Sequence, residues 1–301
     1  MSKSVEPKHR KLWSGLAVEG ATADLAILGI PFDGAASFRR GAAEAPAAIR
    51  ALTPHTAPFT ETGHALETLR ICDLGDVRCD GDWDEVSSRI AATVAQAFTY
   101  PFAVFLGGDH AVSIPILQTL SETMEGSLGV LHLDAHLDLM DSFEGRRWSH
   151  ACTARRYLEL GNVRPEHVVF CGTRSWLGDE VAYVQSHPAL SVHTAQALDA
   201  QGVQAVAKQT IAQLETADAV YITLDIDSLD PAFAPGTGTP EAGGPSTRQL
   251  LEYLKLVFPA LPVRAMDLVE VSPPLDSSHI TSVAAVKILY EIFGMLVSRH
   301  G

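Results

Sequence analysis

The chain has 301 residues, 47% hydrophobic and 19% charged, which fits a folded globule and excludes a disordered segment. Its formal net charge of −14 argues against nucleic acid as a partner and reads as surface solubility. The four cysteines, Cys72, Cys79, Cys152 and Cys171, contain no CxxC pair and make no disulfide framework, so reduced thiols in a cytoplasm are expected.

The basic start, MSKSVEPKHRKLW, is not followed by an apolar stretch, so no secretory signal is expected. No apolar run is expected to cross a membrane. Residues 1–301 read as a single domain whose first 22 residues form an arm or short leading helix. Residues 24–30 are a compact apolar run that suits a buried strand. A Gly-rich polar loop follows at 31–41, a short helix at 43–52, a loop at 53–69 and a candidate second strand at 70–74. Residues 82–98 form a helix, with Asp82 placed to cap it and Glu85 three residues on. Residues 102–106 are a strand running into Gly107-Gly108-Asp109-His110, and 111–120 a helix. Residues 129–131 close another strand, and 134–138 are expected to continue on extended backbone. Next come a loop at 141–148 and a helix from Ser149-His150 to about residue 160. A strand at 167–171, a helix at 177–185, a strand at 190–193, a helix at 202–215 and a strand at 219–224 follow. A Gly/Pro loop at 230–244 leads to a helix capped by Ser246, with Gln249 in the capping-box position. A strand at 263–269 and a helix at 281–298 complete the chain. Strands and helices alternate throughout, which predicts an α/β fold with a mainly parallel sheet and helices on both faces.

In such sheets ligands bind beyond the carboxyl ends of the strands, and the chemical groups of this chain collect there. Asp134, His136 and Asp138 fall at i, i+2 and i+4, so on an extended strand they share one face. His110 follows a second strand, and Asp225 and Asp227 follow a third, again at i, i+2. Each motif alone is commonplace. Four carboxylates and two imidazoles from three strand ends are about the number that a bridged metal pair uses. Two such metals share a water and lower its pKa. His150, at a loop–helix junction, is placed for acid–base work. Glu270, after the last strand, is placed to receive a guanidinium through paired hydrogen bonds.

These residues resemble a known family. GGDH at 107–110, DAHLD at 134–138, SH at 149–150, DIDSLDP at 225–231, PGTGTPEAGG at 235–244 and EVSP at 270–273 are similar to motifs of the ureohydrolases, the arginase and agmatinase family. The N-terminal segment at 29–50 resembles that family too. The resemblance implies a three-layer α/β/α sandwich, two Mn²⁺ ions (Ni²⁺ or Co²⁺ as alternatives), and hydrolysis of a guanidino group to urea and an amine. It implies one metal held by His110, Asp134, Asp138 and Asp225 and another by Asp134, His136, Asp225 and Asp227, with Asp134 and Asp225 bridging. Asp138 is then expected to orient the nucleophile, Glu270 to hold the guanidinium and His150 to deliver a proton. Asp230 reads as structural. A homo-oligomer, trimer or hexamer, is implied as well, with no nucleic-acid or membrane partner.

Ala151 follows the shuttle histidine, as in agmatinase-like members. Leu139-Met140-Asp141 lacks the asparagine by which arginases read the amino-acid end of arginine. Agmatine is therefore the first expected substrate. A guanidino acid of the guanidinobutyrase or guanidinopropionase type, or another small guanidine, is the alternative. Asp141 and Glu144 suit an amine tail, and Arg146 and Arg147 a carboxylate tail. A single-zinc, deacetylase-like hydrolase and a catalytically silent subunit of a mixed oligomer are the remaining readings.

Overall fold

The computed structural model describes residues 11–20 and 22–300. The expected arm at 1–22 falls partly outside this range. Within it, Leu12–Gly15 forms one 3₁₀ turn that buries Trp13.

Among the described residues, eight strands form one parallel sheet. In chain order they are β1 Leu25–Gly29, β2 Ile71–Asp76, β3 Phe102–Leu106, β4 Leu128–Leu133, β5 Val168–Thr173, β6 Ser191–Thr194, β7 Ala219–Asp225 and β8 Val263–Val269. Their order across the sheet is β2-β1-β3-β8-β7-β4-β5-β6, every pairing parallel. β1, β3, β4 and β5 are buried at every position, as expected for strands covered on both faces. Alternate side chains serve opposite cores. Leu25 and Ile27 of β1 join one cluster and Ala26 and Leu28 the other.

The first cluster is closed by α1 (Ala45–Leu52), α6 (Ala195–Gln201), α7 (Val203–Leu214), α8 (Thr247–Ala260) and α9 (Ile280–His300). The second is closed by α2 (Trp83–Ala97), α3 (Ser113–Thr123) and α4 (Thr153–Tyr157), with α5 (Gly178–Ser186) at its margin. The result is the expected three-layer α/β/α sandwich.

Capping residues set several boundaries. Asp82 accepts from Glu85 N–H at 3.0 Å and starts α2. Ser246 and Gln249 form the reciprocal box that starts α8. α6 was not expected from sequence. Thr194 caps it and Gly202, at φ +84°, ends it, so seven residues leave too few turns for a visible period. The helix expected from His150 to about 160 is shorter, a 3₁₀ turn followed by α4 alone. The expectation that no segment reaches membrane-spanning length is also corrected. Ile280–Arg299 of α9 is long and apolar enough, with a hydropathy of 1.7, and 72% of that window is buried within the protein. It packs along α1 and α8, and a helix covered on most sides reads apolar all round.

Candidate metal centre

The site is built where β3, β4, β7 and β8 end. Beyond β3, Gly108 passes so close to the chain at Phe32 that a Cβ would lie 1.7 Å from the Phe32 carbonyl oxygen. The contact lets Asp109 N–H donate to that oxygen at 2.8 Å. Asp109 then accepts from Ala35 N–H and Ala111 N–H. It is a strut between two loops, and burial, then the charge of Glu270, pushes its carboxyl up to about 7. His110 follows, its backbone N–H donating to Glu270 Oε1 at 2.9 Å.

β4 stops at Leu133, and residues 134–138 form a bend rather than extended backbone. Asp134, His136 and Asp138 do converge, but not by strand alternation. Asp134 Oδ1 accepts His136 N–H at 2.6 Å, and Asp138 adopts the left-handed region at φ +54°. That conformation costs a non-glycine residue about 1–3 kcal/mol and clusters at functional sites. The Asp138 carbonyl in turn accepts from Ala154 and Arg155 N–H, anchoring α4. Asp225 closes β7 and accepts Asp227 N–H at 2.7 Å, curling the chain into a 3₁₀ turn.

Two histidine nitrogens mark two centres. His110 Nδ1 lies 3.1 Å from Asp134 Oδ2, 3.1 Å from Asp138 Oδ2 and 3.3 Å from Asp225 Oδ2. His136 Nδ1 lies 3.3 Å from Asp134 Oδ1 and 3.1 Å from Asp227 Oδ2. Asp134 thus offers one oxygen to each centre. Asp225 faces the first, its other oxygen taken by Asp227 N–H. His110 Nδ1 is buried and has no hydrogen-bond partner. An orphaned imidazole nitrogen ringed by carboxylate oxygens suits a divalent cation of the nitrogen- and oxygen-binding kind.

The electrostatics agree. Burial, with Asp227 and Asp134 nearby, holds the Asp225 carboxyl well above its usual range. Burial and the charge of Asp134 push Asp227 up to about 6. Burial acts to raise Asp134 as well, but the three histidines that surround it, His110, His132 and His136, outweigh it and hold that group well below the usual range. Burial opposes charge on His136, yet Asp227 and Asp134 raise it. Crowded carboxylates that retain protons exchange them for cations on binding.

His132 was not singled out from sequence. It is fully buried on β4, stacked on His110 at 4.9 Å, with Nε2 3.0 Å from Asp134 Oδ2. A lone histidine in an apolar strand gives no signal apart from its neighbours.

His150 and Glu270 face each other, His150 Nδ1 lying 3.6 Å from Glu270 Oε1. Burial opposes charge on His150, but Glu270 raises it to about 9. Its Nε2 is 2.7 Å from Ser37 Oγ. Glu270 also stands in the left-handed region, at φ +61°, its N–H donating to Gly108 O.

A cavity of about 150 Å³ opens on this cluster, with His136, Asp138, His150, Phe143 and Trp176 among its lining. None of the four tail-reading candidates lines it. Asp141 pairs with Arg156 at 2.7 Å, and Arg147 with Glu159 at 2.8 Å. Arg146 lies over the Trp148 ring and Glu144 is exposed. The tight turn at Glu144-Gly145, both at positive φ, folds the loop back on itself. It sends Phe143, not a charge, into the cavity. A larger cavity of about 300 Å³, between α8, α9 and residues 60–64, holds no member of the cluster. Its carboxylate, Glu291, is taken up by Lys287 and Glu61 N–H.

Residues 23–294 match the arginase family. Proclavaminate amidinohydrolase of Streptomyces clavuligerus is 32% identical over 283 residues, covering 92% of this chain and 89% of that protein. Its solved structure superposes with a TM-score of 0.85 at 30% identity, covering 95% of each chain. An agmatinase of Bacillus anthracis is 33% identical, covering 89% of this chain and 90% of its own. A guanidinobutyrase of Pseudomonas aeruginosa is 32% identical, covering 91% and 86%. With the sandwich, the ordered motifs and a match over nearly its whole length, this chain belongs to the arginase family.

Proposed function

We propose that this protein hydrolyses an amine-tailed guanidine, agmatine first among them, to urea and a diamine. The observation that carries the reading is the paired His–Asp cluster at the floor of a cavity that, among the described residues, no arginine or lysine lines. His110, Asp134, Asp138 and Asp225 would hold one divalent cation, and Asp134, His136 and Asp227 a second, with Mn²⁺ as the proposed ion. Bound there, the pair supplies Lewis acidity and lowers the pKa of water to the neutral range.

The chain's own residues supply the rest. Asp138 orients the attacking oxygen toward the guanidinium carbon, and Glu270 takes up the guanidinium charge. His150 is held protonated by Glu270 up to about pH 9. It gives its proton to the departing nitrogen as the carbon–nitrogen bond breaks. The cavity speaks to the tail. Among the described residues a carboxylate would meet no arginine or lysine in the lining, whereas an ammonium would meet Trp176 and Phe143, whose ring faces attract cations.

Urea release by the purified chain with Mn²⁺ tests this, using agmatine, 4-guanidinobutyrate, 3-guanidinopropionate, arginine and guanidine. The highest kcat/KM is expected for agmatine. A higher value for a guanidino acid overturns the amine-tail reading. Urea from none of them, with metal bound, supports the silent-subunit reading instead.

A further inference from the structure

Asp267 is a charged residue in the middle of β8 with no exposed surface. It stands opposite Thr223 of β7 in the strand register. Four donors saturate its carboxylate. Oδ1 accepts from the Thr223 hydroxyl at 2.7 Å and from Leu224 N–H at 3.2 Å. Oδ2 accepts from the Ser113 hydroxyl at 2.6 Å and the Tyr221 hydroxyl at 2.8 Å. An ionised carboxylate only accepts, so the Thr223 proton is committed to Asp267.

The direction of the next bond follows. Thr223 Oγ1 lies 2.8 Å from His110 Nε2. With its own proton committed, the hydroxyl oxygen can only accept there, so Nε2 carries the hydrogen. Nδ1 is left facing Asp134, Asp138 and Asp225, with no hydrogen-bond partner. A flip of the ring would replace that nitrogen by a carbon and break the bond to Thr223.

We propose that Asp267 is a positioning residue. Acting through the Thr223 hydroxyl, it fixes the His110 ring with Nε2–H turned away from the cluster and Nδ1 turned into it. The proposal rests on the metal reading above for its consequence, a tighter first cation site, because outer partners orient metal-binding histidines and raise their basicity. His136 has no comparable device. Its Nε2 lies 4.0 Å from Glu241 Oε1, and a quarter of the side chain is exposed. The relay therefore acts on one centre and leaves the other as an internal control.

Thr223→Val removes the hydroxyl and keeps the shape, while Thr223→Ser keeps the hydroxyl. Thr223→Ala serves if the core rejects valine, and melting of the metal-free forms identifies any misfolded variant. Mn²⁺ affinity is measured by calorimetry against a competing chelator on the full-length protein. In the valine variant one of two sites is expected to weaken by about 10- to 100-fold, the other staying unchanged. The serine variant is expected to bind like the parent. Imidazole ¹⁵N–¹H spectra of the metal-free protein give a second readout. An exchange-protected His110 Nε2–H is expected in the parent and serine forms and lost in the valine form. Unchanged affinity and protection in Thr223→Val overturn the proposal, as does a serine variant as impaired as the valine one. If the parent binds no metal while the protected proton still depends on the hydroxyl, the relay stands and the metal reading falls.

Discussion

Glu270 and His150 define each other's chemistry. The carboxylate raises the imidazole from 6.5 to about 9 although burial acts the other way. The shift is upward, so the protonated form is complete below about pH 6.5 and is lost as pH rises through about 9. Activity is accordingly expected to fall across pH 8–10. Glu270→Gln should move that limb downward by about a unit or more, read from kcat/KM against pH. An alkaline limb that stays in place in this variant would remove Glu270 as the cause. Most of the cluster was legible in the residues themselves. His110, Asp134, His136, Asp138, Asp225 and Asp227 stand at the ends of apolar runs, and all six meet in the fold. The reason given for the triplet was incomplete, because a bend and a left-handed Asp138 bring it together. His132 and Asp267 were illegible for a different reason. Asp267 meets Thr223 only through strand pairing, His132 stands two residues before its partner Asp134, and a polar residue inside an apolar run does not announce what it touches.

Elements carry two further expectations. The loop after β5 brings Trp176 to the cavity, where the residue is 40% exposed. Trp176→Ala should raise KM for agmatine by about 2- to 30-fold with little change in kcat, as expected for a lost cation–π contact. A kcat loss at unchanged KM would refute the assignment. On the other side of the sheet, Glu61 ties the 56–70 segment to α8. Hydrogen bonds from Arg248, then Lys255, lower its carboxyl from 4.5 to about 2. A depressed carboxylate contributes stability that is present above about pH 4.5 and lost as pH falls through 2. Glu61→Gln should therefore cost under about 1 kcal/mol at pH 7, and the difference should vanish near pH 2, measured by denaturant melts at both pH values. Strand and helix existence followed from apolar runs and caps such as Ser246 with Gln249. α6 escaped because its seven residues carry a cap and a terminating glycine but almost no periodicity. The 141–148 loop misled for a similar reason. Asp141 and Arg147 are paired with Arg156 and Glu159 of the following segment, a pairing that sequence spacing does not fix.

At the scale of the whole molecule, alternation of strand and helix was enough to give a parallel sheet covered on both faces. The strand order was not accessible, because which strands pair is decided by contacts between distant segments. That order matters here. β3, β8, β7 and β4 lie side by side at the centre, so the crowded carboxylates are buried at the ends of the central strands. Without cations their mutual repulsion acts against folding. Adding Mn²⁺ to the chelated protein should raise its melting temperature, by an amount equivalent to about 2.7 kcal/mol at one hundred times the dissociation constant. A melting curve indifferent to Mn²⁺ and to chelator would contradict the site. The cavity wall has another origin. Phe143 lies past Asp138 in the loop after β4, and Trp176 lies in the loop after β5, which bears no cluster residue. The two side chains are not part of the cation cage, although the loop after β5 is tied to it by Arg174 and Ser175 N–H donating to Ala135 O. Substitution at Phe143 and Trp176 can therefore reshape the cavity wall without replacing a residue of the cation cage.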